Sequence, residues 1–179
     1  FPDEVFPMEL YWVTSTAGIG TRKSAVFGQQ SNQSRSTVGE AKVTFIGYYP
    51  LPISNFVIHF KFQGEVMKNI SPSITQNQFM ENELYRIGGM GNLRGFNQES
   101  ILTDAYSILT GELQFRVQKS LNFFTFIDKG YVSQVNSSIR GEVWPMGVGF
   151  GFELLATGGI LNISYATGRG FGEDFSLRT

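Results

Sequence analysis

The chain contains no cysteine, which excludes disulfide bonds, thiolate nucleophiles and zinc sites built on cysteine. It has one histidine, so sites that need a pair of histidines are excluded as well. No apolar run approaches the roughly 18 residues of a transmembrane helix. The net charge of -1 offers no basic surface for nucleic acid. These absences predict a protein with no metal, no cofactor and no nucleic-acid partner.

Glycine and phenylalanine are abundant instead. There are 21 glycines and 17 phenylalanines among 179 residues, while charged residues make up only 16%. A chain of this length can form one core or one closed sheet. We therefore expect a single domain that covers residues 1–179.

The clearest pattern is a strict alternation of apolar and polar residues over positions 56–65. One face carries four phenylalanine or isoleucine side chains and the other carries four polar ones: Phe56, Ile58, Phe60 and Phe62 against His59, Lys61, Gln63 and Glu65. A period of two is that of a β-strand rather than a helix. Because the same alternation recurs along the chain, the sequence predicts an all-β protein.

About eight strands are predicted in this way, counting the last as partial. They cover residues 8–23, 37–49, 56–65, 106–117, 123–132, 147–155, 161–166 and 171–179. Short connections at 50–54, 118–122 and 157–159 alternate with long ones at 24–36, 68–104 and 133–142. Tight turns at one rim and large loops at the other are typical of outer-membrane barrels. The predicted fold is a transmembrane antiparallel up-and-down β-barrel, closed by pairing of the first and last strands.

Alternation alone does not say which face of the sheet is outside. A soluble barrel that binds an apolar ligand would show the same pattern inverted. Two features favour lipid on the outside. The polar face contains Gly147, Gly149 and Gly151, which suits a crowded interior. Aromatic residues also lie near predicted strand ends, where membrane proteins carry aromatic girdles: Tyr11, Trp12, Tyr48, Tyr49, Tyr106 and Trp144.

A glycine-rich segment, residues 84–96, interrupts the strand pattern. It contains Gly88, Gly89 and Gly91, and Arg94 follows these glycines near the end of the segment. Loops this long are uncommon in compact domains unless they are functional or disordered. We expect the segment to fold back and place Arg94 against acidic side chains of later strands. The alternative is an Arg94 that is solvated in an exposed loop.

Five short motifs in order resemble the C-terminal half of the bacterial surface antigen domain. They lie at residues 87–96, 111–115, 126–130, 147–151 and 158–165. That domain is the barrel of the BamA/TamA proteins in the outer-membrane-protein-85 superfamily. The resemblance covers roughly residues 36–178.

The resemblance implies that the tip of a long loop, within residues 68–104, folds into the barrel lumen. The tip matches Leu93, Arg94, Gly95 and Phe96, supported by Gly88, Gly89 and Gly130. In the family the arginine meets acidic residues of the inner wall, and the matching positions are Glu112 and Asp128. The residues themselves agree, because both carboxylates fall on the predicted inner face of strands about 5 Å apart. Arginine suits two such partners through its planar fork.

The resemblance also implies a non-enzymatic protein of the bacterial outer membrane. Its expected role is outer-membrane protein or lipid assembly, or transport. The expected partners are outer-membrane lipid and, through self-association or otherwise, outer-membrane proteins. We therefore expect a short form of the family barrel, with about half the usual number of strands and without the POTRA domains that usually precede it. The alternatives are a barrel that binds an apolar ligand and the C-terminal half of a larger assembly barrel.

Three further signals are weaker. His59 alternates with Lys61 on the polar face and is expected to be a luminal polar residue rather than a ligand. The repeated glycines of 147–151 do not lie between a strand and a helix, so a nucleotide loop is not expected. Glu112 and Asp128 could form a general acid/base pair, but Arg94 beside them would hold both ionised.

Overall fold

The computed structural model describes residues 10–24, 34–53, 55–70, 79–136 and 139–170. Every regular element in these ranges is a strand. The strands are β1 (Leu10–Ser24), β2 (Ser34–Pro50), β3 (Phe56–Asn69), β4 (Tyr85–Ile87), β5 (Ile101–Gln118), β6 (Leu121–Asn136), β7 (Ile139–Val143), β8 (Met146–Ala156) and β9 (Gly159–Arg169). In the described part of the chain, no helix has the length and apolar character needed to cross a membrane.

All nine strands belong to one antiparallel sheet. Its main path runs β1-β2-β3-β5-β6-β8-β9, so strands that follow one another in sequence are neighbours. The short strands β4 and β7 pair with β5 and β6 respectively. The predicted all-β antiparallel class is therefore confirmed. Within the described residues β1 and β9 do not pair, so the sheet is open. The predicted strand at 171–179 lies outside the described residues.

Several predicted strand limits were wrong because pairing continues into polar sequence. β3 extends to Asn69 and β5 begins at Ile101, which shortens the predicted loop at 68–104 at both ends. The predicted loop at 133–142 contains the end of β6 and most of β7. Backbone N–H and C=O groups pair whatever the side chains are, so alternation underestimates hairpins that extend beyond the apolar region. Residues 25–33 of the first predicted loop lie outside the described residues.

The sheet has a buried inner face and an exposed outer face. On β6 the even positions from Asn122 to Val132 are buried, whereas Phe123 is 46% and Ile127 48% exposed. The side chains of Thr110, Glu112 and Gln114 lie on the same inner face of β5, because they pair with even positions of β6. The polar alternating set thus points inward.

The outer face is largely apolar and exposed. Its exposed side chains on the last five long strands include Ile58, Leu109, Leu113, Phe115, Phe123, Ile127, Phe150, Leu161 and Ile163. Of the predicted girdle residues, Tyr11 and Tyr49 are exposed on this face, and Trp144 is also exposed. The girdle prediction is wrong for Trp12 and Tyr48, which belong to the inner face because Trp12 is in register with Ile46 and Lys61, and Tyr48 with His59. Tyr106 was wrongly assigned to the girdle: it is 6% exposed and lies inward, because β5 begins five residues before it.

Glycines make room on the inner face of β8. Gly149 pairs with Phe126 and Gly151 with Phe124. A Cβ atom at Gly149 would lie 2.6 Å from the Phe126 ring, and one at Gly151 would lie 2.7 Å from the Phe124 ring. The two rings therefore cover the glycine positions, and the crowded inner face leaves no space there for a side chain.

Candidate functional site

The glycine-rich segment follows β4 and begins with a tight turn. Gly88 and Gly89 have φ angles of 113° and 90°, which side chains rarely tolerate. The Asn92 side chain accepts hydrogen bonds from the backbone N–H groups of Gly88 and Leu93, both at 2.8 Å. The Gly89 N–H donates to the Leu93 carbonyl at 3.0 Å. These bonds reverse the chain and direct the tip toward the sheet.

Leu93 anchors the tip in an apolar cluster. Its side chain is completely buried. The cluster is formed by β4, β5 and β6, and its other members are Ile87, Ile101, Tyr106, Ile108 and Val132, with Tyr85 and Phe96 packed against it. Full burial of a leucine side chain stabilises a structure by about 1.5–3 kcal/mol. This anchor sets the position of the next residue, Arg94.

Arg94 binds two carboxylates at once. Its Nε and Nη2 atoms each donate to Asp128, to Oδ2 and Oδ1, at 2.8 Å. Its Nη1 donates to Glu112 Oε2 at 2.9 Å. The backbone N–H of Arg94 also donates to Asp128 Oδ2, at 3.0 Å. This is the bidentate geometry, with short charge-assisted bonds, that a lysine could not provide.

The guanidinium also lies on an aromatic ring. Its Cζ is 3.4 Å from the centroid of Phe126. The strand register explains this arrangement, since Phe126 pairs with Glu112 and precedes Asp128 by two residues on the same face. The ring therefore lies between the two carboxylates, and a cation over it gains a further attraction. We call Arg94, Glu112, Asp128 and Phe126 the arginine cluster.

Burial makes the charges of this cluster depend on one another. Asp128 is completely buried, and the side chains of Arg94 and Glu112 are 12% and 9% exposed. Burial by itself would lower the pKa of Arg94, but its hydrogen bonds and charge interactions with Asp128 and then Glu112 raise that pKa above the ordinary value. Arg94 is thus held charged between two acids. Neither carboxylate is free to act as a general acid, because both accept from the guanidinium.

Further polar side chains extend the cluster toward the tight turns. Gln114 Nε2 donates to Glu112 Oε1 at 2.6 Å, and Arg116 Nη2 donates to Gln114 Oε1 at 2.8 Å. His59 Nδ1 lies 3.6 Å from Glu112 Oε1, and its ring stacks on Tyr48 with centroids 4.4 Å apart. His59 is therefore an inner-face residue next to the cluster. Among the described residues, no group of three or more His, Asp or Glu could hold a metal ion.

Gly95 brings the segment against β8 and β9, at one edge of the sheet. Its φ angle is 90°, and a Cβ there would lie 2.6 Å from the Thr167 backbone of β9. A Cβ at Gly168 would lie 2.5 Å from the Gly95 carbonyl oxygen, and a Cβ at Gly147 would collide with the Arg94 carbonyl oxygen. The backbone of the segment therefore packs directly on the backbone of β8 and β9.

The structure brings Leu93, Arg94, Gly95, Glu112 and Asp128 into one inner-face site. Gly88 and Gly89 form the turn that precedes it, and Phe96 packs beside the apolar cluster. Gly130 lies farther along β6, where its N–H donates to the Pro145 carbonyl at 2.7 Å. It contacts the junction of β7 and β8 rather than Arg94.

Sequence reasoning assigned no role to Phe126 or Gly168. Phe126 precedes Asp128 by two residues and so shares its face of the strand, and that shared face was the signal that could have identified it. Gly168 carried no signal in the sequence, because only its register with Gly147 brings it under the tip.

A sheet wall with an apolar outer face, a charged inner face and a loop held inside is typical of β-barrel membrane proteins. The Omp85 superfamily domain matches residues 14–172, and the chain therefore belongs to the Omp85 superfamily. This confirms the resemblance seen in the five motifs. Members of the superfamily are outer-membrane assembly and translocation barrels and are generally non-enzymatic. No curated protein matches the chain.

We predict that Arg94→Ala destabilises the folded protein by about 3–5 kcal/mol, because it leaves two buried carboxylates without their cation. The free energy of unfolding in urea, measured in detergent micelles, would show this loss. Arg86→Ala is the matched control, since Arg86 is exposed on β4 just before the segment. The double variant Arg94→Ala/Asp128→Ala should lose less than the sum of the single losses. Heat-modifiable migration on gels that is unchanged by Arg94→Ala would show that the cluster is structurally unimportant.

We predict that Gly95→Ala destabilises the protein by about 1–3 kcal/mol, through a strained φ angle and collision with β9. Gly91→Ala in the same segment is the control, because a Cβ at Gly91 would have no atom within 4 Å. Its effect should stay within about 0.5 kcal/mol. Equal unfolding midpoints for the two variants would contradict close packing of the tip on the sheet.

Proposed function

We propose that the chain forms the wall of a bacterial outer-membrane β-barrel in which the glycine-rich segment is an internal brace. Its role is non-enzymatic and lies in outer-membrane protein or lipid assembly, or in transport. The main observation that supports the internal brace is the arginine cluster, in which one loop residue neutralises two buried acids on adjacent strands. Superfamily membership supports the membrane and the broad role.

The outer face supports contact with lipid. Phe150 is 60%, Leu109 54% and Ile163 50% exposed, and their neighbours on that face are also mostly apolar. A continuous apolar surface of this kind is uncommon on soluble monomers, whereas lipid tails cover it without loss. The inner face holds buried Asp128 and Gln114 instead. A soluble barrel that binds an apolar ligand would need the opposite arrangement, so this alternative is disfavoured.

The inner contacts support a brace rather than a gate. Arg94 connects the segment to β5 and β6, and Gly95 packs on β9. On the same inner face but toward the opposite edge of the sheet, Lys61 Nζ of β3 lies 3.5 Å from the Gly91 carbonyl oxygen. The segment therefore spans strands that are not neighbours in the sheet, and its contacts with them would resist flattening of the wall. In a small barrel such a segment fills the interior and leaves no aqueous pore.

Two measurements test the proposal. Cell fractionation should recover the intact protein with the outer membrane, and extraction should require detergent. Liposomes that contain the protein should then accelerate insertion of an unfolded outer-membrane barrel, measured by protease protection against empty liposomes. Recovery in the aqueous phase without detergent would reject the membrane assignment. Membrane recovery without faster insertion would reject protein assembly and leave lipid assembly or transport.

A second candidate is that these strands form one half of a larger assembly barrel. One observation favours it: within residues 10–170, as far as they are described, β1 and β9 are unpaired edges. Exposed edges invite pairing with further strands. The mass of the intact polypeptide in its native membrane decides the question. A product close to 20.0 kDa would reject this candidate.

A further inference from the structure

Two basic side chains lie on the apolar outer face at the end nearer the loops. Lys129 of β6 and Arg169 of β9 are exposed. Both are in register with Met146 of β8, one on each side. Two strand spacings separate them, which is about 10 Å. Neither forms an ion pair with another described residue.

Aromatic side chains mark this level of the sheet as a membrane interface. Tyr131, two residues beyond Lys129 and therefore on the same face, packs against Trp144 with ring centroids 5.0 Å apart. The Tyr131 hydroxyl donates to Glu142 Oε1 at 3.1 Å. Tyrosine and tryptophan with polar partners are enriched at the boundary between lipid tails and headgroups. The two cations therefore lie next to the expected headgroup layer.

A cation on the lipid side of a barrel is unfavourable near the bilayer centre and tolerated near the headgroups. Long basic side chains reach the headgroups from slightly below them. Lys129 and Arg169 lie at the same level of the sheet, with Met146 between them. One anion can therefore bind between the two cations and contact both. We infer that Lys129 and Arg169 bind the phosphate of an anionic membrane lipid. This inference rests on the proposed contact of the outer face with lipid.

The apolar outer face on the tight-turn side of this pair offers a surface for the lipid tail. Ile127 precedes Lys129 by two residues on the same face, and Phe150 and Ile163 lie on that face still closer to the tight turns; all three side chains are exposed. A lipid whose phosphate lies at Lys129 can thus place an acyl chain along these side chains. The nearby Glu142 carboxylate accepts from Tyr131, which keeps that acid hydrogen-bonded next to the cations.

Lipid retention tests the inference. The protein is reconstituted in nanodiscs of phosphatidylcholine that contain phosphatidic acid, extracted in mild detergent, and weighed by native mass spectrometry. The wild-type protein should retain phosphatidic acid in preference to phosphatidylcholine. Lys129→Gln/Arg169→Gln should reduce that preference roughly twenty-five-fold, because each basic side chain near an anionic surface contributes about fivefold. Lys129→Arg/Arg169→Lys should keep it. Lys68→Gln, which removes another exposed lysine of the outer face, should also keep it.

The outcomes separate this inference from the function on which it rests. A chain that does not enter nanodiscs would reject the membrane assignment itself. Entry with equal lipid retention by the wild-type protein and the Gln/Gln variant would overturn only the phosphate site. A similar loss in Lys68→Gln would also overturn it, since general surface charge would then explain the preference. If added inorganic phosphate displaced the lipid, the pair would be a site for soluble anions rather than for lipid, and the inference would be overturned as well. Unchanged heat-modifiable migration of the Gln/Gln variant shows that its fold is intact.

Discussion

The buried carboxylate of Asp128 is the constraint on which the rest of the inner face depends. A fully buried, ionised acid is strongly unfavourable unless a cation and hydrogen bonds surround it. Arg94 supplies three hydrogen bonds to Asp128, two from its guanidinium and one from its backbone. Because those donors are on a loop rather than a strand, the loop has to reach the sheet interior. The tight turn at Gly88 and Gly89 and the anchor at Leu93 follow from this requirement.

The loop needs space that only missing side chains can provide. Gly147 and Gly168 lie in register on β8 and β9, and the backbone of the tip occupies the positions of their absent Cβ atoms. Gly149 makes room for the Phe126 ring, which in turn supports the guanidinium. One electrostatic requirement thus explains an aromatic residue on β6 and glycines on two further strands. Interiors packed at this density transmit the effect of a single added methyl group.

The two faces of the sheet differ in character. The outer face is apolar and exposed, which supports the lipid contact proposed above, whereas the inner face holds the arginine cluster. Four hydrogen bonds hold Arg94 to Glu112 and Asp128. This favours a segment that maintains the curvature of the wall over one that opens and closes. The two outer-face cations, Lys129 and Arg169, lie nearer the loops and carry the proposed lipid-phosphate site.

The sequence by itself determined the strand period, the apolar and polar faces, and Arg94 as a candidate, because these depend on residue type and local spacing. Its resemblance to the family added Glu112 and Asp128. The sequence did not determine the strand limits, the inward position of Tyr106, the ring under the guanidinium or the glycine at 168. These depend on register between strands, and Arg94 and Asp128 are 34 residues apart. Only the paired backbone brings such residues together, and its hydrogen bonds leave no trace in side-chain alternation.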